Sequence, residues 1–496
     1  MKDVNDLALL IDAKIPIIVV ETYDEQRAIA LLMKTAVAKD LGFASWTITD
    51  GLNTSGTKNP FLEPGETTSN SPEHVLRSIR TTTTPTLFVL CDFHPYLQGQ
   101  PEHVRLLKDI ALAHETLWHT VVLVSCELEI PIELRRATAR MSMSLPDDMR
   151  LMKIVQKEAS QWSKQNEGKK VQASMGSVKK LARNLRGLSE NDATRLARTA
   201  IHQDGVIDDN DMGPLNKAKF ELIDMEGVLS FEYDTEHFTA VGGLNNLKEW
   251  VKLREHVFLN SAKKSTDAPK GLMLLGVQGS GKSLAAKAIA GVWGIPLLRL
   301  DMAALYNKYI GETEKNLRKS LEQAELMSPC VLWIDEIEKG IAAGDNDNGT
   351  SARILGTLLT WMAERKTRVF VVATSNDVSR MPPELMRKGR LDEVFFVDLP
   401  EHEIRNTIFE IHLEKRNFDP MQFDLQRLAE MSEGFSGAEI EQAVVSAVYK
   451  ASAHRAPLAM EHLEFALANT FPISIVMAEK VAQLRSWASN RTVSAN

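Results

Sequence analysis

Residues Gly276-Val-Gln-Gly279-Ser-Gly281-Lys282-Ser283 form a G-x-x-x-x-G-K-S run. The run follows an apolar stretch at 271–275 and leads into an Ala-rich, helix-favouring stretch at 284–290. It constrains the fold more than any other feature of the chain. A strand must end, turn tightly on glycines and open a helix, which is the geometry of an α/β sheet. The glycines let backbone N–H groups curl around polyphosphate oxygens. The helix start adds orphan amides and the positive end of a dipole. Lys282 is then placed to neutralise the β- and γ-phosphates, and the Ser283 hydroxyl to ligate Mg²⁺. The pattern implies a nucleoside triphosphate site.

Downstream, Val331-Leu-Trp-Ile-Asp335-Glu336 is an apolar strand that delivers two acids to its carboxyl end. Ligands of open α/β sheets bind at that edge. Asp335 suits the Mg²⁺ shell, and Glu336 suits a general base that polarises the attacking water. Residues 295–300 read as another strand, and a helix is expected to open near Tyr306 and run to about Met327. Val369-Phe-Val-Val-Ala-Thr-Ser-Asn376 is a further apolar strand ending in an amide, followed by Arg387-Lys-Gly-Arg390.

With these motifs in order, residues 238–470 resemble the AAA+ ATPases, in the clade with a second region of homology. The resemblance implies that Val241 and Gly242 line an adenine pocket and that Gly276, Gly279, Ser280, Gly281, Lys282, Ser283 and Leu284 hold ATP. It implies that Asn376 is a sensor orienting the hydrolytic water. Arg387 and Arg390 would be arginine fingers reaching the γ-phosphate of a neighbouring subunit. His412 would contact the nucleotide, and Gly437 and Ala438 would belong to the lid motif. Lys308, Tyr309 and Ile310 align with the loop that grips an extended polypeptide in the central pore of hexameric motors. The polar stretch 344–349 falls where a second pore-facing loop is expected, and reads equally as a plain exposed loop.

The amino-terminal half reads as a silent second copy. Residues 181–200 align without a gap to 428–447, matching Gly187-Leu-Ser189 to Gly434-Phe-Ser436. Pro131-Ile-Glu-Leu-Arg-Arg136 mirrors Pro382-Pro-Glu-Leu-Met-Arg387, and strand candidates at 15–20, 44–49, 87–91 and 121–124 fall in the matching order. Where the phosphate loop belongs, Val20-Glu21-Thr-Tyr-Asp24-Glu25-Gln-Arg27 carries three acids and no glycine. Such a segment neither wraps nor attracts a triphosphate. Asp92 is read in the metal-carboxylate slot, with Phe93 where Glu336 would be. Tandem modules of this kind, silent first and active second, resemble a largely uncharacterised family of AAA+ ATPases from algal plastids, cyanobacteria and other bacteria. Gly276-Val-Gln-Gly-Ser-Gly-Lys-Ser and Ser328-Pro-Cys-Val-Leu-Trp-Ile-Asp-Glu carry that likeness.

The expected fold is therefore α/β: two tandem P-loop-NTPase-like modules, each a parallel sheet flanked by helices with a small helical lid. Residues 1–204 form the degenerate module, 205–236 a linker, 237–400 the large ATPase subdomain, 401–470 its lid and 471–496 a helix and tail. The long polar loop 50–71 reads as a capture element or a connector.

Composition narrows the function. A net charge of −8 argues against a surface that tracks nucleic acid throughout, and no basic stretch interleaved with aromatics is present. No apolar run approaches membrane-spanning length, and no signal-like leader opens the sequence. Cys91, Cys126 and Cys330 are singletons in apolar runs and read as buried packing thiols of a reducing, cytoplasmic protein. His114-Glu-Thr-Leu-Trp-His119 spaces its histidines at i, i+5, about 140° apart on a helix, and reads as a surface helix, not a zinc motif. The cofactors expected are ATP and Mg²⁺. The partners expected are further copies of the chain in a hexameric ring and a protein substrate or adaptor to be remodelled. The rival is an ATP-gated assembly switch that binds a partner without threading it.

Overall fold

The computed structural model describes residues 2–53, 70–126, 128–208, 210–223, 228–232, 241–259, 268–302, 304, 313–340, 350–379, 381–387 and 389–496. Lys308, Tyr309 and Ile310, the stretch 344–349 and most of the 50–71 loop lie outside them.

The chain divides into two compact units, Met1–Asp147 with Ser189–Ala193, and Asp148–Leu188 with Thr194–Asn496. In the first, the described strands are β1 (Ile17–Glu21), β2 (Gly42–Thr47), β3 (Gly51–Asn53), β4 (Thr86–Cys91), β5 (Thr120–Ser125) and β6 (Thr138–Ser142). They form a sheet in the order β3-β2-β4-β5-β1-β6, parallel except for the edge pair of β2 with β3. In the second unit, β7 (Gln172–Ala173) and β8 (Val206–Ile207) form a two-stranded sheet. The main strands there are β9 (Leu229–Phe231), β10 (Gly271–Gly276), β11 (Leu297–Asp301), β12 (Cys330–Asp335), β13 (Val369–Ser375), β14 (Glu393–Val397) and β15 (Val493–Ser494). Their order is β15-β14-β10-β13-β12-β11-β9, parallel except at β9.

The two sheets share one plan. Read from β6, the first runs β6-β1-β5-β4-β2-β3; read from β14, the second runs β14-β10-β13-β12-β11-β9. Each ends on an antiparallel edge strand. The duplication read from the sequence is thus present in the sheet topology itself.

Alternation along the strands builds the cores. Met273, Leu298, Leu300, Leu332, Ile334, Val371 and Ala373 pack into one cluster, while Leu272, Leu274, Leu297, Val331, Trp333, Phe370 and Val372 pack into another. Successive side chains point to opposite faces of a strand. Both faces of the second sheet are therefore buried, as a parallel sheet covered by helices requires. The first sheet divides likewise, with Ile17, Val19, Phe88 and Leu90 on one face and Ile18, Val20, Leu87 and Val89 on the other. Behind the second sheet, Phe258 stacks on Trp293 at 4.9 Å and Phe370 meets Trp293 edge-on at 4.7 Å. This anchors the helix Lys282–Trp293 that follows the glycine loop.

Several expectations need correction. Residues 205–236, expected as a linker, contain β8, the helix Met212–Leu222 and β9, which completes an edge of the second sheet. The helical part of the first module, 150–188 and 194–204, falls within the second unit. There Gly187, at φ +81°, lies so close to Leu326 that a Cβ would come within 1.7 Å of its carbonyl oxygen. Lys219 is fully buried and donates to the Arg186 carbonyl; burial pushes its ammonium down to about 7. Periodicity cannot reveal such docking, because the contacts are between segments far apart in the chain. His114 and His119 are buried, not on a surface helix: the helix His114–Leu117 stops at Trp118, which is left-handed at φ +56°. His114 Nδ1–H donates to the His119 carbonyl at 2.6 Å, and His119 Nε2–H to the Thr82 carbonyl at 2.8 Å. Among the described residues no cluster of three or more His, Cys, Asp or Glu could hold a metal. Cys91 and Cys330 are buried as expected, but Cys126 is exposed just past β5.

Candidate functional site: a nucleotide cleft at the carboxyl edge of the second sheet

The carboxyl ends of β10, β12 and β13 open on a cavity of about 840 Å³. The fully buried run of β10 gives way to the glycine loop, where Gly279 (φ +76°) and Gly281 (φ +94°) adopt left-handed backbone. Gly279 also lies against Ser436 and Ala438, so a Cβ there would come within 2.9 Å of the Ser436 hydroxyl. Gly276 has a different reason to be glycine. It does not line the cavity; a Cβ would sit 2.0 Å from the Val397 carbonyl on β14.

Lys282 is 6% exposed and donates to the carbonyls of Gly276 (3.0 Å) and Val277 (2.7 Å). Burial pushes its ammonium down to about 8, against the opposing pull of Glu338, Asp335 and Glu336. The Ser280 hydroxyl is buried without a partner. A buried cation resting on backbone carbonyls and an orphaned hydroxyl at a helix start are groups that a phosphate would satisfy.

The acids are held by their neighbours. Asp335 accepts from the Thr374 hydroxyl at 2.8 Å and from Arg299 at 2.9 Å. Thr374 in turn accepts the Glu336 N–H at 3.1 Å. Glu336 stands at φ +47°, a left-handed position that turns it off the end of β12. Asn376 Nδ2 donates to Glu336 Oε1 at 3.0 Å, and its backbone N–H donates to Glu338 at 3.1 Å. The Asn376 amide and the Glu336 carboxylate are thus in direct contact. Ser283 and Asp335 both line the cavity, and a hydroxyl with a carboxylate is the hard oxygen donor set that Mg²⁺ takes. These residues fit the ion.

The lid supplies the facing wall. Ser436 and Glu439 form a reciprocal capping box at the start of the helix Gly437–Ala453, with Ser436 N–H donating to Glu439 at 2.7 Å. Ala438 N–H donates to the Gly279 carbonyl at 3.1 Å. His412 lines the cavity with Glu441; burial lowers its pKa, while Glu441 opposes the shift.

The structure therefore brings Val241, Gly242, Gly279, Ser280, Gly281, Lys282, Ser283, Leu284, Asp335, Glu336, Asn376, His412, Gly437 and Ala438 around one cavity. Arg387 and Arg390 do not line it: Arg387 is exposed, and Arg390 donates to the Glu384 carbonyl. Sequence reasoning missed Thr374, Ile404, Ile408 and Asn496, all of which line the cavity. Thr374 carried a usable signal, as a polar residue near the end of an apolar strand. Asn496 carried none.

The first unit keeps the plan with different residues at the corresponding positions. Cys91 pairs with Val124, one residue before Ser125, which pairs with Glu21 on β1. In the second sheet Ile334 pairs with Ala373, two residues before Ser375, which pairs with Leu275 on β10. Counting back from the matching serines, Cys91 holds the position of Asp335 and Asp92 that of Glu336. Asp92 shares the left-handed turn, at φ +49°. The sequence reading, with Asp92 in the metal slot and Phe93 opposite Glu336, was one residue out of register; Phe93 is a fully buried core residue. Asp24, in the segment that replaces the glycine loop, is 2% exposed and accepts the N–H groups of Glu190 (2.6 Å) and Asn191 (3.2 Å). These positions match Gly437 and Ala438. A side chain of the protein itself supplies an anion to that helix start.

Comparison with known proteins agrees with this geometry. The family model for AAA, "ATPase family associated with various cellular activities", matches residues 272–399, and an AAA+ lid domain matches 422–465. A "SpoVK-like AAA ATPase, N-terminal domain" matches 3–143, and the corresponding second domain 150–226. The fold and site define an AAA ATPase. The protein "Uncharacterized AAA domain-containing protein ycf46" of Trieres chinensis is 34% identical over 99% of this chain and 97% of its own length. Its counterpart in Guillardia theta is also 34% identical, over 99% and 95%. The chain belongs to this ycf46 family of AAA domain proteins. The "Proteasome-activating nucleotidase" of Aeropyrum pernix is 38% identical over 43% of this chain and 54% of its own.

Proposed function

We propose that this chain is a cytoplasmic, Mg²⁺-dependent ATPase that assembles into a hexameric ring and uses ATP hydrolysis to remodel or unfold a protein substrate. The observation that carries the reading is the hydrogen bond from Asn376 to Glu336 at the mouth of a cavity that also holds Lys282. Lys282 and the loop amides bind the phosphates. Ser283 and Asp335 would hold Mg²⁺, which would supply Lewis-acid stabilisation of charge on the phosphate oxygens. Glu336 takes a proton from the attacking water while Asn376 fixes its orientation. Arg387 and Arg390, which do not line their own subunit's cavity, act on the γ-phosphate of the next subunit. Such fingers are worth about 10³–10⁵ in rate in related phosphoryl-transfer enzymes. Lys308, Tyr309 and Ile310 grip the substrate chain. The likeness to a nucleotidase named for activating a proteasome supports a protein as the object of the cycle.

The test is the solution mass of Glu336→Gln protein with Mg-ATP, isolated directly from its native lysate. The substitution removes the base and stalls the cycle with nucleotide bound. A closed ring carrying a co-purified protein is expected. A protein that binds ATP and stays monomeric at high concentration would defeat the trans-acting role of Arg387 and Arg390. Tyr309→Ala then separates a motor, which loses substrate processing and keeps hydrolysis, from an assembly switch, which loses neither.

A further inference from the structure

The segment after the lid returns to the nucleotide cavity. Its start is tied to the lid by the Ile473 N–H, which donates to Glu439 at 2.9 Å. The helix Ala478–Ala488 then places Arg485 on Asp398, a cavity residue, at 2.9 Å. β15 adds to β14 in parallel, and Ala495, fully buried, donates to the Phe396 carbonyl at 3.0 Å. Its own carbonyl accepts the N–H of Leu247, one of the orphan donors in the first turn of the helix Asn245–Leu259. Asn246 Nδ2 donates to the carbonyls of Ser494 (3.2 Å) and Asn496.

Asn496 completes this strap. Its side-chain oxygen accepts the Leu244 N–H at 2.5 Å, and the residue lines the cavity. The backbone it holds is unusual: Gly243 and Leu244 are both left-handed, at φ +69° and +58°. Leucine rarely adopts that conformation and needs outside support to keep it. Gly243 lies so close that a Cβ would come within 2.8 Å of Asn496 Oδ1 and 2.9 Å of Ile404. Val241, Gly242, Leu244, Ile404 and Ile408 are among the apolar residues of the lining, and apolar walls suit the flat face of a base.

We propose that Asn496 is a positioning residue for the base end of the nucleotide site. It holds the Gly243–Leu244 turn so that Val241 and Gly242 meet a purine, and it makes the segment 473–496 part of nucleotide binding. The inference rests on the ATP-site reading above. It goes beyond that reading because no residue of this segment belongs to the glycine loop, the acids or the lid motif, although its start is bonded to the lid at Glu439.

The test measures the affinity of the full chain for fluorescently labelled ADP and for ATP, with steady-state hydrolysis alongside. Asn496→Ala is expected to weaken ADP and ATP equally, about tenfold, the worth of one hydrogen bond to a strained turn. KM for ATP should rise more than kcat falls. Asn496→Asp keeps the acceptor and should recover most of the affinity. Asn246→Ala loosens the same strap from a residue outside the cavity and should reproduce the loss. Wild-type affinity in Asn496→Ala, or equal loss in Asn496→Asp, would overturn the inference while leaving the ATP site intact. A wild-type chain that binds neither nucleotide would overturn both.

Discussion

Raising the pH past about 8 should loosen nucleotide binding through Lys282. Without ligand, burial holds this ammonium at about 8, well under its ordinary 10.5, despite the acids Glu338, Asp335 and Glu336 around it. Phosphate oxygens placed against it restore the charged form, so the pKa in the complex rises well above 8. Below about pH 8 the amine is charged in both states and affinity is flat. Above that, the free protein has released a proton that the complex must recover, so affinity falls about tenfold per pH unit, or about 1.4 kcal/mol. At pH 9 only about one free site in ten is protonated, and binding should take up about 0.9 proton. Calorimetric titration with ADP at pH 9, in two buffers of different ionisation enthalpy, reads that number directly. Lys282→Arg, charged throughout, should bind with little pH dependence. Flat affinity from pH 7.5 to 9.5, with no buffer effect, would refute the reasoning.

Three other outcomes are expected. Thr374→Val removes the hydroxyl that bridges Asp335 and the Glu336 N–H, leaving a buried donor unpaired at a cost of about 1–3 kcal/mol; kcat should drop about tenfold or more while ADP affinity, measured by titration, moves little. Gly187→Ala forces a Cβ into the Leu326 carbonyl at a left-handed position, and urea denaturation should record a loss of about 2 kcal/mol or more. Lys219 keeps its burial penalty at and below about pH 7 and sheds it as pH climbs towards 10.5, because the unfolded chain then holds the extra proton. The stability of wild type relative to Lys219→Met, compared by denaturation at pH 7 and 9.5, should therefore rise with pH. A constant difference would sink that assignment.

What could be read from the residues alone was whatever is local or ordered along the chain. The glycine loop, the paired acids at the tip of β12 and the amide ending β13 each announce themselves within a few residues, and the fold brings them to one edge. The duplication was legible because helix and strand patterns recur in sequence order. Its register was not: in Leu-Phe-Val-Leu-Cys-Asp92 nothing marks where the strand stops, and only cross-strand pairing puts Cys91 opposite the place of Asp335. The partition of the helical part of the first module was also hidden. It is set by Gly187 against Leu326 and by the burial of Lys219, contacts that leave no periodic trace. Asn496 was invisible for the same reason. Its partner Leu244 lies 252 positions away.

The strand order of the second sheet also says something about how the protein is made. β9 leaves the ribosome before the glycine loop exists, yet β11, with which it pairs, comes after that loop. β15 follows the whole helical lid before it can join β14. The two flanks of the ATPase sheet are thus closed by the earliest and the latest of its strands to be synthesised. During translation the nascent sheet has one side waiting and the other bare, and its β14 flank is closed only once β15 has emerged. A chain stalled before β15 would therefore leave β14 as an open edge, its unpaired backbone groups free to pair elsewhere.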